Sequence, residues 1–364
     1  MTKNKKIFFI MPEMYPLLDP SIYGHSGGSE AQMFHLANAF YKKGNTVSVV
    51  VGNYGQAKSQ TISGIQVFLV NNKIAFMPWK IIRVLIDIFI ILRENKPDVV
   101  LHQNFGYLHG ISAILCRLLR VRYVYFTASQ GDVDGTRYRT SSLPVAWLWR
   151  LGLNLTSTII VQTNEHRELL LKHFNRDSIV IPNGIDTNLF TRTREHGNII
   201  LWVAHWRQVK RPDLVAELAR QLPNYNFIMC GGFYDKNLYD RIVPNFPENI
   251  LIRGYTNSVD LISAYQDALL LINTSDYEGI PITFDEAWAC QLPVVSLNVD
   301  PDGVITRHNL GFFSGTLEKM VMDIKLLCDD KRKIVEIGSN CRNFVVKNHS
   351  IDVMSEKIVS LLHC

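Results

Sequence analysis

Two glutamates, Glu278 and Glu286, stand with seven residues between them in the stretch 272–297. Carboxylates at such spacing can carry out general acid/base chemistry, or they can accept hydrogen bonds from the hydroxyl groups of a sugar and a ribose. The less specific interpretation is that Glu286 caps or pairs locally and that Glu278 is a solvated loop residue.

The elements around the two glutamates favour the binding interpretation. A buried strand is predicted at 268–272, a loop at 273–281, a helix at 281–290 and a second buried strand at 293–297. Gly279 allows close approach of the backbone to a ligand, and Pro281 suits a first helical turn. Because a helix N-terminus attracts phosphate, this stretch predicts a site for a sugar attached to a nucleotide diphosphate.

Basic residues follow another strand end. The strand at 198–204 precedes Arg207, Lys210 and Arg211, and Pro212 then opens a helix. Cations at the carboxyl end of a strand are well placed to stabilise a diphosphate leaving group. The alternative is a solvated basic turn.

Three further segments that follow predicted strands could contact a nucleotide. Gly27 and Gly28, between the first strand and the helix at 29–43, suit a diphosphate approaching backbone N–H groups, or form a flexible loop with Ser29 as the N-cap. Gly231 follows one strand of the second half, and Tyr255 follows another and could stack on a planar base.

Short apolar segments alternate with helical ones along the whole chain, which indicates parallel sheets built from βαβ units. Strands are predicted at 6–11, 46–51, 65–70, 99–102, 123–127, 158–161, 178–181, 198–204, 225–230, 249–252, 268–272 and 293–297. These are too many for one ordinary sheet. We therefore predict two Rossmann-like domains, 1–181 and 182–349, with a closing helix at 350–364 that could pack on the first. Ligands of such folds bind at the carboxyl ends of the strands, here in the cleft between the domains.

Composition excludes several classes of protein. The 364 residues are 47% hydrophobic and 20% charged, and the six cysteines show no C-x-x-C pair or zinc spacing, which suits a reducing compartment. Residues 1–180 carry 20 Lys and Arg against 11 Asp and Glu, whereas 181–364 carry 18 against 22. A basic first half suggests an anionic partner, and with no nucleic-acid-binding signature we expect a lipid surface rather than a nucleic acid.

The apolar segment 78–95 is too short and too charged to span a membrane, and it predicts a core-facing helix or a membrane-surface helix.

Together these motifs resemble the retaining GT-B glycosyltransferases of family 4, once called group 1. The matching residues are 27–30 (GGSE), 181–186 (IPNGID), 210–213 (KRPD), 278–281 (EGIP), 286–289 (EAWA) and 293–295 (PVV). The resemblance covers most of the chain and implies an α/β fold of the GT-B type, with two Rossmann-like domains whose parallel sheets face a central cleft.

The resemblance also implies roles for single residues. Lys210 would hold the diphosphate and Glu278 the donor sugar, and both would act in catalysis together with Arg207. The donor-binding residues would be Gly27, Gly28, Gly231, Tyr255, Gly279, Ile280, Pro281 and Glu286, the last of which would bind the ribose. Members of the family need no metal ion, and we expect no cofactor beyond a substrate nucleotide sugar, most simply one linked to UDP or GDP.

Two positions depart from the family pattern. His205 stands where an Arg is usual, and we expect Arg207 to substitute for it. Gln130 stands before Gly131 where a His is usual, so we assign Gln130 and Asp132 to the acceptor side and His109 as the replacement histidine.

The sequence thus predicts a retaining, metal-independent glycosyltransferase. Its acceptor would be a glycan or a lipid-linked molecule in the synthesis of cell-envelope polysaccharide or glycolipid. We expect a cytoplasmic protein, peripheral at the inner face of the membrane through its basic first domain and the amphipathic segments around Trp79 and 147–150. The alternatives are an enzyme resembling a nucleotide-sugar 2-epimerase and a non-catalytic GT-B binding module.

Overall fold

The computed structural model describes residues 4–22, 27–70, 78–193, 195, 197–232 and 235–363, and at 78–80, 258 and 363 it describes the backbone alone. The chain forms two compact units. Unit 1 comprises the residues up to Gly184 together with those from Ile351 onward, and unit 2 comprises Ile185–Ser350. Among the described residues, no helix is long and apolar enough to cross a membrane.

The strands and helices alternate along most of the chain. The strands are β1 Lys6–Ile10, β2 Thr46–Val51, β3 Ser59–Ile62, β4 Ile65–Leu69, β5 Val99–Gln103, β6 Arg122–Phe126, β7 Thr158–Val161, β8 Ile179–Val180, β9 Ile199–Val203, β10 Asn226–Cys230, β11 Ile250–Gly254, β12 Ala268–Asn273, β13 Val294–Ser296 and β14 Gly311–Phe313. The helices are α1 Tyr15–Leu18, α2 Gly28–Lys42, α3 Pro78–Asn95, α4 Tyr107–Leu119, α5 Gln130–Val133, α6 Thr136–Thr140, α7 Leu143–Leu155, α8 Asn164–Phe174, α9 Pro212–Gln221, α10 Lys236–Ile242, α11 Ser258–Asp267, α12 Ile282–Ala289, α13 Val304–His308, α14 Leu317–Asp329, α15 Lys331–Asn348 and α16 Ile351–His363.

Unit 1 is built on one mainly parallel sheet. Within the described ranges its strands lie in the order β3-β4-β2-β1-β5-β6-β7-β8, and every pair is parallel except β3 with β4. β1 pairs with β2 from Lys6 opposite Thr46 and with β5 from Ile7 opposite Val99. The sheet has a packed core on each face, as expected when crossover helices cover both sides.

The two cores of unit 1 differ in their helices. One contains Met33, Leu36 and Phe40 of α2 and, from the far end of the chain, four residues of α16: Ile351, Met354, Ile358 and Leu362. The other contains α3, α4 and α7 packed on the opposite face. Helix α16 therefore completes unit 1.

Unit 2 contains a second parallel sheet. In the part of the chain that the structure describes, its strands lie in the order β11-β10-β9-β12-β13-β14. β12 is the central strand for the site because it pairs with β9 on one side and β13 on the other. All six of its residues are buried, so its apolar run ALLLI fixes where the chain emerges at Asn273.

The structure adds elements that the sequence pattern did not predict. β3 and β14 are short edge strands, and α5, α6 and α13 are single-turn helices in segments with weak periodicity. β3 forms a hairpin with β4 through Ser63 and Gly64, both of which have positive φ.

Candidate active site

The loop that follows β12 holds Glu278 in place through three neighbouring side chains. Its Oε1 accepts hydrogen bonds from Asn273 Nδ2 at 2.8 Å and from Ser275 Oγ at 2.6 Å. Its Oε2 forms an ion pair with Lys210. Both oxygens are thus engaged, and the carboxylate is fixed as a hydrogen-bond acceptor rather than left as a mobile surface group.

Lys210 reaches Glu278 because neighbouring strands end side by side. Lys210 closes a 3-10 turn after β9, where its N–H donates to the Arg207 carbonyl at 2.9 Å. Thr274 Oγ1 donates to the Lys210 carbonyl at 2.8 Å, and the loops after β9 and β12 are thereby joined. The Lys210 and Glu278 side chains are 22% and 14% exposed, so their ion pair is shielded yet open to a ligand.

The other two basic residues of this turn differ in their surroundings. Arg211 has a φ of +49° and donates to both carboxylate oxygens of Asp213 and to Asp276, and these bonds raise the pKa of its guanidinium. Arg211 is therefore occupied in holding its own loop. Arg207 and His205 are exposed, and Arg207 begins the turn that ends at Lys210.

Glu286 lies one turn into α12 and has a partner that the sequence did not reveal. The Tyr265 hydroxyl donates to its Oε2 at 2.7 Å. Burial raises the pKa of Glu286 to about 7, the Tyr265 hydrogen bond opposes this rise, and the Asp285 carboxylate adds to it. Tyr265 is fully buried, which fixes the direction from which Glu286 is held.

Asp285, the residue before Glu286, forms a buried pair with His349. His349 Nδ1 lies 2.7 Å from Asp285 Oδ1, and the two side chains are 5% and 0% exposed. Burial raises the pKa of Asp285, and the nearby His349 opposes that rise. No sequence signal linked these two residues, since His349, the C-cap of α15, meets α12 only in the folded unit.

Gly279, Ile280 and Pro281 lead from Glu278 into α12. Gly279 and Ile280 are half-buried, and Pro281 is the N-cap, with φ −64° and ψ 123°, so the helix begins one residue later than predicted. Among the described residues no side chain caps this helix. Its first N–H groups are thus oriented as an anion would need them, next to the Lys210–Glu278 pair.

The predicted glycine and tyrosine of the neighbouring strands have separate structural settings. Gly231 has a φ of +141°, and a Cβ there would lie 1.9 Å from the Ala204 carbonyl oxygen, so only glycine fits. Tyr255 is 77% exposed after β11. Its ring is available to a ligand, and the glycine keeps the ends of β9 and β10 close.

In unit 1, Gly27 and Gly28 form the start of α2. Gly27 is the N-cap, and its N–H donates to Glu30 Oε2 at 2.9 Å. Asn104, just after β5, donates to the other Glu30 oxygen at 2.8 Å. The glycine turn is therefore anchored by the buried Glu30, and Ser29 lies inside the helix rather than at its cap.

His109 does not fit the acceptor role that the sequence suggested. It is fully buried, with its Nδ1 3.0 Å from the Tyr123 hydroxyl and its ring centroid 3.8 Å from that of Tyr125. A Cβ on Gly152 would lie 2.5 Å from the His109 ring, so α7 packs directly over it. Burial holds the pKa of His109 well below its ordinary value. The prediction was wrong because α4 turns this residue toward the interior.

Asp132 is likewise a structural residue. Its carboxylate accepts from the N–H groups of Ala128 at 2.7 Å and Ser129 at 3.2 Å, and it pairs with Arg137 at 3.1 Å. Burial raises the pKa of Asp132, and Arg137 opposes the rise. The carboxylate caps α5 and is not open to an acceptor. Gln130, the first residue of α5, is half-buried and stays a candidate.

The described residues contain no group of three or more His, Cys, Asp or Glu side chains that could hold a metal ion.

Comparison with known proteins gives matches along nearly the whole chain. Residues 26–189 match the model "Glycosyltransferase Family 4", and residues 188–345 match "Glycosyl transferases group 1". An Escherichia coli relative, UDP-Gal:alpha-D-GlcNAc-diphosphoundecaprenol alpha-1,3-galactosyltransferase, is 25% identical over 76% of this chain and 78% of its own.

Solved structures are similar in fold at low identity. A sucrose-phosphate synthase from Thermosynechococcus elongatus superposes with a TM-score of 0.81 at 15% identity, over 99% of this chain and 98% of its own. An Anabaena protein crystallised with UDP-glucose gives 0.74 at 15% identity, over 99% of this chain and 100% of its own. Both superpositions extend over the two α/β units and their parallel sheets.

Proposed function

The chain belongs to the group 1 glycosyltransferases of the GT-B fold, and from that premise we propose that it transfers a sugar with retention of configuration and without a metal ion. The donor is a nucleotide-diphosphate sugar, bound by unit 2. The acceptor is a lipid-linked molecule or glycan of the cell envelope.

The observation that carries this proposal is the Lys210–Glu278 ion pair beside the uncapped start of α12. Lys210 and the first N–H groups of α12 offer positive charge to a diphosphate. Glu278 offers hydrogen-bond acceptors to sugar hydroxyls within contact of that charge. Glu286, one turn into α12, accepts hydrogen bonds from the two hydroxyl groups of a ribose.

The reaction follows from this distribution of charge. The bond between the anomeric carbon and the diphosphate oxygen breaks, and Lys210 stabilises the negative charge of the departing diphosphate. The acceptor oxygen forms its bond on the same face, and its proton passes to a phosphate oxygen. Since both Glu278 oxygens are engaged by Lys210, Asn273 and Ser275, we assign Glu278 to sugar positioning and not to proton transfer.

The donor nucleotide is proposed to be UDP. The Escherichia coli relative is named for UDP-Gal, and the Anabaena structure was obtained with UDP-glucose. Arg207 assists Lys210 at the diphosphate because it is exposed at the start of the same turn.

The acceptor is proposed to be lipid-linked and reached at an anionic membrane surface. The Escherichia coli relative is named for a diphosphoundecaprenol acceptor. In unit 1, α3 exposes Ile82, Ile86 and Ile90, which are 57%, 47% and 45% exposed and lie on one face at a spacing of four. Arg83 and Arg93, both exposed, flank that face. Apolar residues flanked by cations suit an anionic lipid surface. The side chain of Trp79, also expected here, lies outside the described residues.

The test is sugar transfer by full-length variants with UDP-sugars and a lipid-linked acceptor. We expect Lys210→Ala to lower kcat by about 10²- to 10³-fold, the usual effect of removing one group that stabilises developing charge. Glu278→Ala should lower the transfer rate strongly as well. Product anomers determined by NMR would show retention, and chelator would leave the rate unchanged.

Lys319→Ala is the matched control. Lys319 pairs with Asp323 at 3.7 Å on α14, so this variant also loses one lysine and one ion pair of unit 2. It should keep the wild-type rate. Near-normal transfer by both Lys210→Ala and Glu278→Ala, with intact folding by circular dichroism, would overturn the proposal.

A further inference from the structure

A basic cavity lies on unit 1, within residues 135–174. It has a volume of about 350 Å³ and is lined by Gly135, Tyr138, Arg139, Arg150, His173 and Phe174. These residues come from the segment 135–139, from α7 and from the end of α8. The lining contains two guanidinium groups and an imidazole but no carboxylate, so it is suited to an anion.

Arg150 is held in position within this cavity. Its Nη1 donates to the Phe174 carbonyl at 3.0 Å, and its guanidinium carbon lies 5.2 Å from the centre of the Phe174 ring. A guanidinium carries five N–H donors, and the carbonyl takes one of them. Because the group is already oriented, little side-chain entropy is lost when an anion binds.

Arg139 supplies a second cation that no carboxylate neutralises in the part of the chain that the structure describes. Its neighbour Arg137 is paired with Asp132 at 3.1 Å, whereas Arg139 is exposed and lies beside Gly135. A Cβ on Gly135 would lie 2.8 Å from Arg139 Nη1, and the residue has a φ of +80°. The glycine thus makes the space that the guanidinium occupies.

Helix α7, which carries Arg150, also has an exposed apolar face next to the cavity. Leu143 and Trp147 are 85% and 64% exposed. Leu143, Trp147 and Arg150 follow at spacings of four and three, which puts them on one face of α7. A soluble phosphate compound would contact only the basic cavity. A phospholipid would contact the cavity with its head group and the two apolar side chains with its acyl chains.

We propose that this cavity binds the phosphate of an anionic phospholipid head group while Leu143 and Trp147 enter the apolar layer beside it. The proposal deepens the membrane part of the proposed function, on which it rests, and gives that membrane contact a phosphate-specific site. Arg139, Arg150 and His173 bind the phosphate, and Trp147 occupies the interfacial region that tryptophan prefers.

The test is co-sedimentation of the full-length protein with phosphatidylcholine vesicles that contain or lack phosphatidylglycerol. We expect binding only with phosphatidylglycerol, and Arg139→Gln should weaken it about fivefold, as expected for one cation at an anionic surface. Trp147→Ala should also weaken vesicle binding. Trp147→Phe, which keeps an aromatic ring, should retain most of the wild-type affinity.

Lys58→Gln is the control for simple loss of charge. Lys58 is exposed next to β3, at the opposite end of the sheet from β7 and β8. The Lys58→Gln variant should therefore bind vesicles as the wild type does. Equal weakening by Lys58→Gln and Arg139→Gln would mean unspecific attraction and would overturn the proposal. Vesicle binding by Arg139→Gln that equals that of the wild type would also overturn the proposal.

Calorimetry with inorganic pyrophosphate distinguishes a soluble ligand from a lipid. Pyrophosphate binding that is lost in Arg139→Gln, combined with vesicle binding that is unchanged, would overturn the lipid assignment. The vesicle assay contains no sugar donor, so its result is independent of transfer. Near-normal transfer by both Lys210→Ala and Glu278→Ala, together with Arg139-dependent vesicle binding, would refute the proposed function and leave this inference standing.

Discussion

The Lys210 ammonium and the Glu278 carboxylate are ion-paired across two loops that follow the neighbouring strands β9 and β12. An anion that binds Lys210 must therefore share it with Glu278. The carboxylate holds the lysine in position, yet it also competes with the diphosphate for the same charge.

Glu278→Gln should separate these two effects. The variant frees Lys210 from its carboxylate, so UDP alone should bind up to about fivefold more tightly, the scale of a partly exposed ion pair. Sugar transfer should nonetheless fall, because the amide no longer holds the sugar as the carboxylate does. Calorimetry with UDP measures the first effect. Asp276→Asn, which removes a nearby carboxylate that pairs with Arg211, should leave UDP affinity near the wild-type value.

Nucleotide binding should depend on pH through Glu286. Its pKa is raised to about 7, mainly by burial, and only the ionised form can accept both ribose hydrogen bonds. The Kd for UDP should therefore rise as the pH falls below about 7 and level off above it. Tyr265→Phe removes a hydrogen bond that favours the ionised form, so the midpoint should move to higher pH. A Kd that does not change across this range would contradict the ribose role.

The Asp285–His349 pair should stabilise unit 2. His349→Ala leaves a buried carboxylate without its partner, and removal of one member of such a pair typically costs about 3–5 kcal/mol in the free energy of unfolding. Urea unfolding of the variant measures this loss. His308→Ala is the comparison, since His308 is exposed and its ring lies 4.7 Å from that of Phe344, which His349 also contacts. Equal losses in the two variants would show that the ring contact with Phe344 matters more than the contact with Asp285.

Unit 1 should lose stability in mild acid because of His102. Burial lowers its pKa from 6.5 to about 4, so the unfolded chain takes up a proton that the folded chain does not. The stabilisation is fully present above pH 6.5 and declines as the pH falls toward 4, by about 3 kcal/mol in total. Denaturant titrations at several pH values measure this decline. His102→Gln should reduce the decline and leave the part that comes from His109, whose pKa burial also lowers.

Much of the fold followed from the sequence because buried strands and amphipathic helices have distinct periods. The segment 78–95 forms helix α3 with the predicted bounds, and α9 begins at the predicted Pro212. β3 and β14 lacked such a signal. β3 is polar and exposed at an edge, and β14 has three residues, too few for a pattern.

The site was predictable where it is local in sequence and not where it depends on tertiary packing. The motif 278–286 and Lys210 could be identified from residue type and spacing. Tyr265, whose hydroxyl bonds Glu286, could not, because β12 separates their helices in the chain. His109 was misassigned since α4 is apolar on several faces, and periodicity did not reveal that Gly110 and Gly152 bring α7 close enough to bury it.

Helix α16 has a consequence for how the protein is made. Unit 1 needs Ile351, Met354, Ile358 and Leu362 to complete one of its two cores, yet all of unit 2 lies between these residues and the rest of unit 1. Domains usually fold in the order in which the ribosome releases them. Here unit 2 can fold before unit 1, because unit 1 lacks α16 until the end of synthesis. Until then the apolar side of α2 is uncovered. During synthesis that uncovered side is where a chaperone would bind.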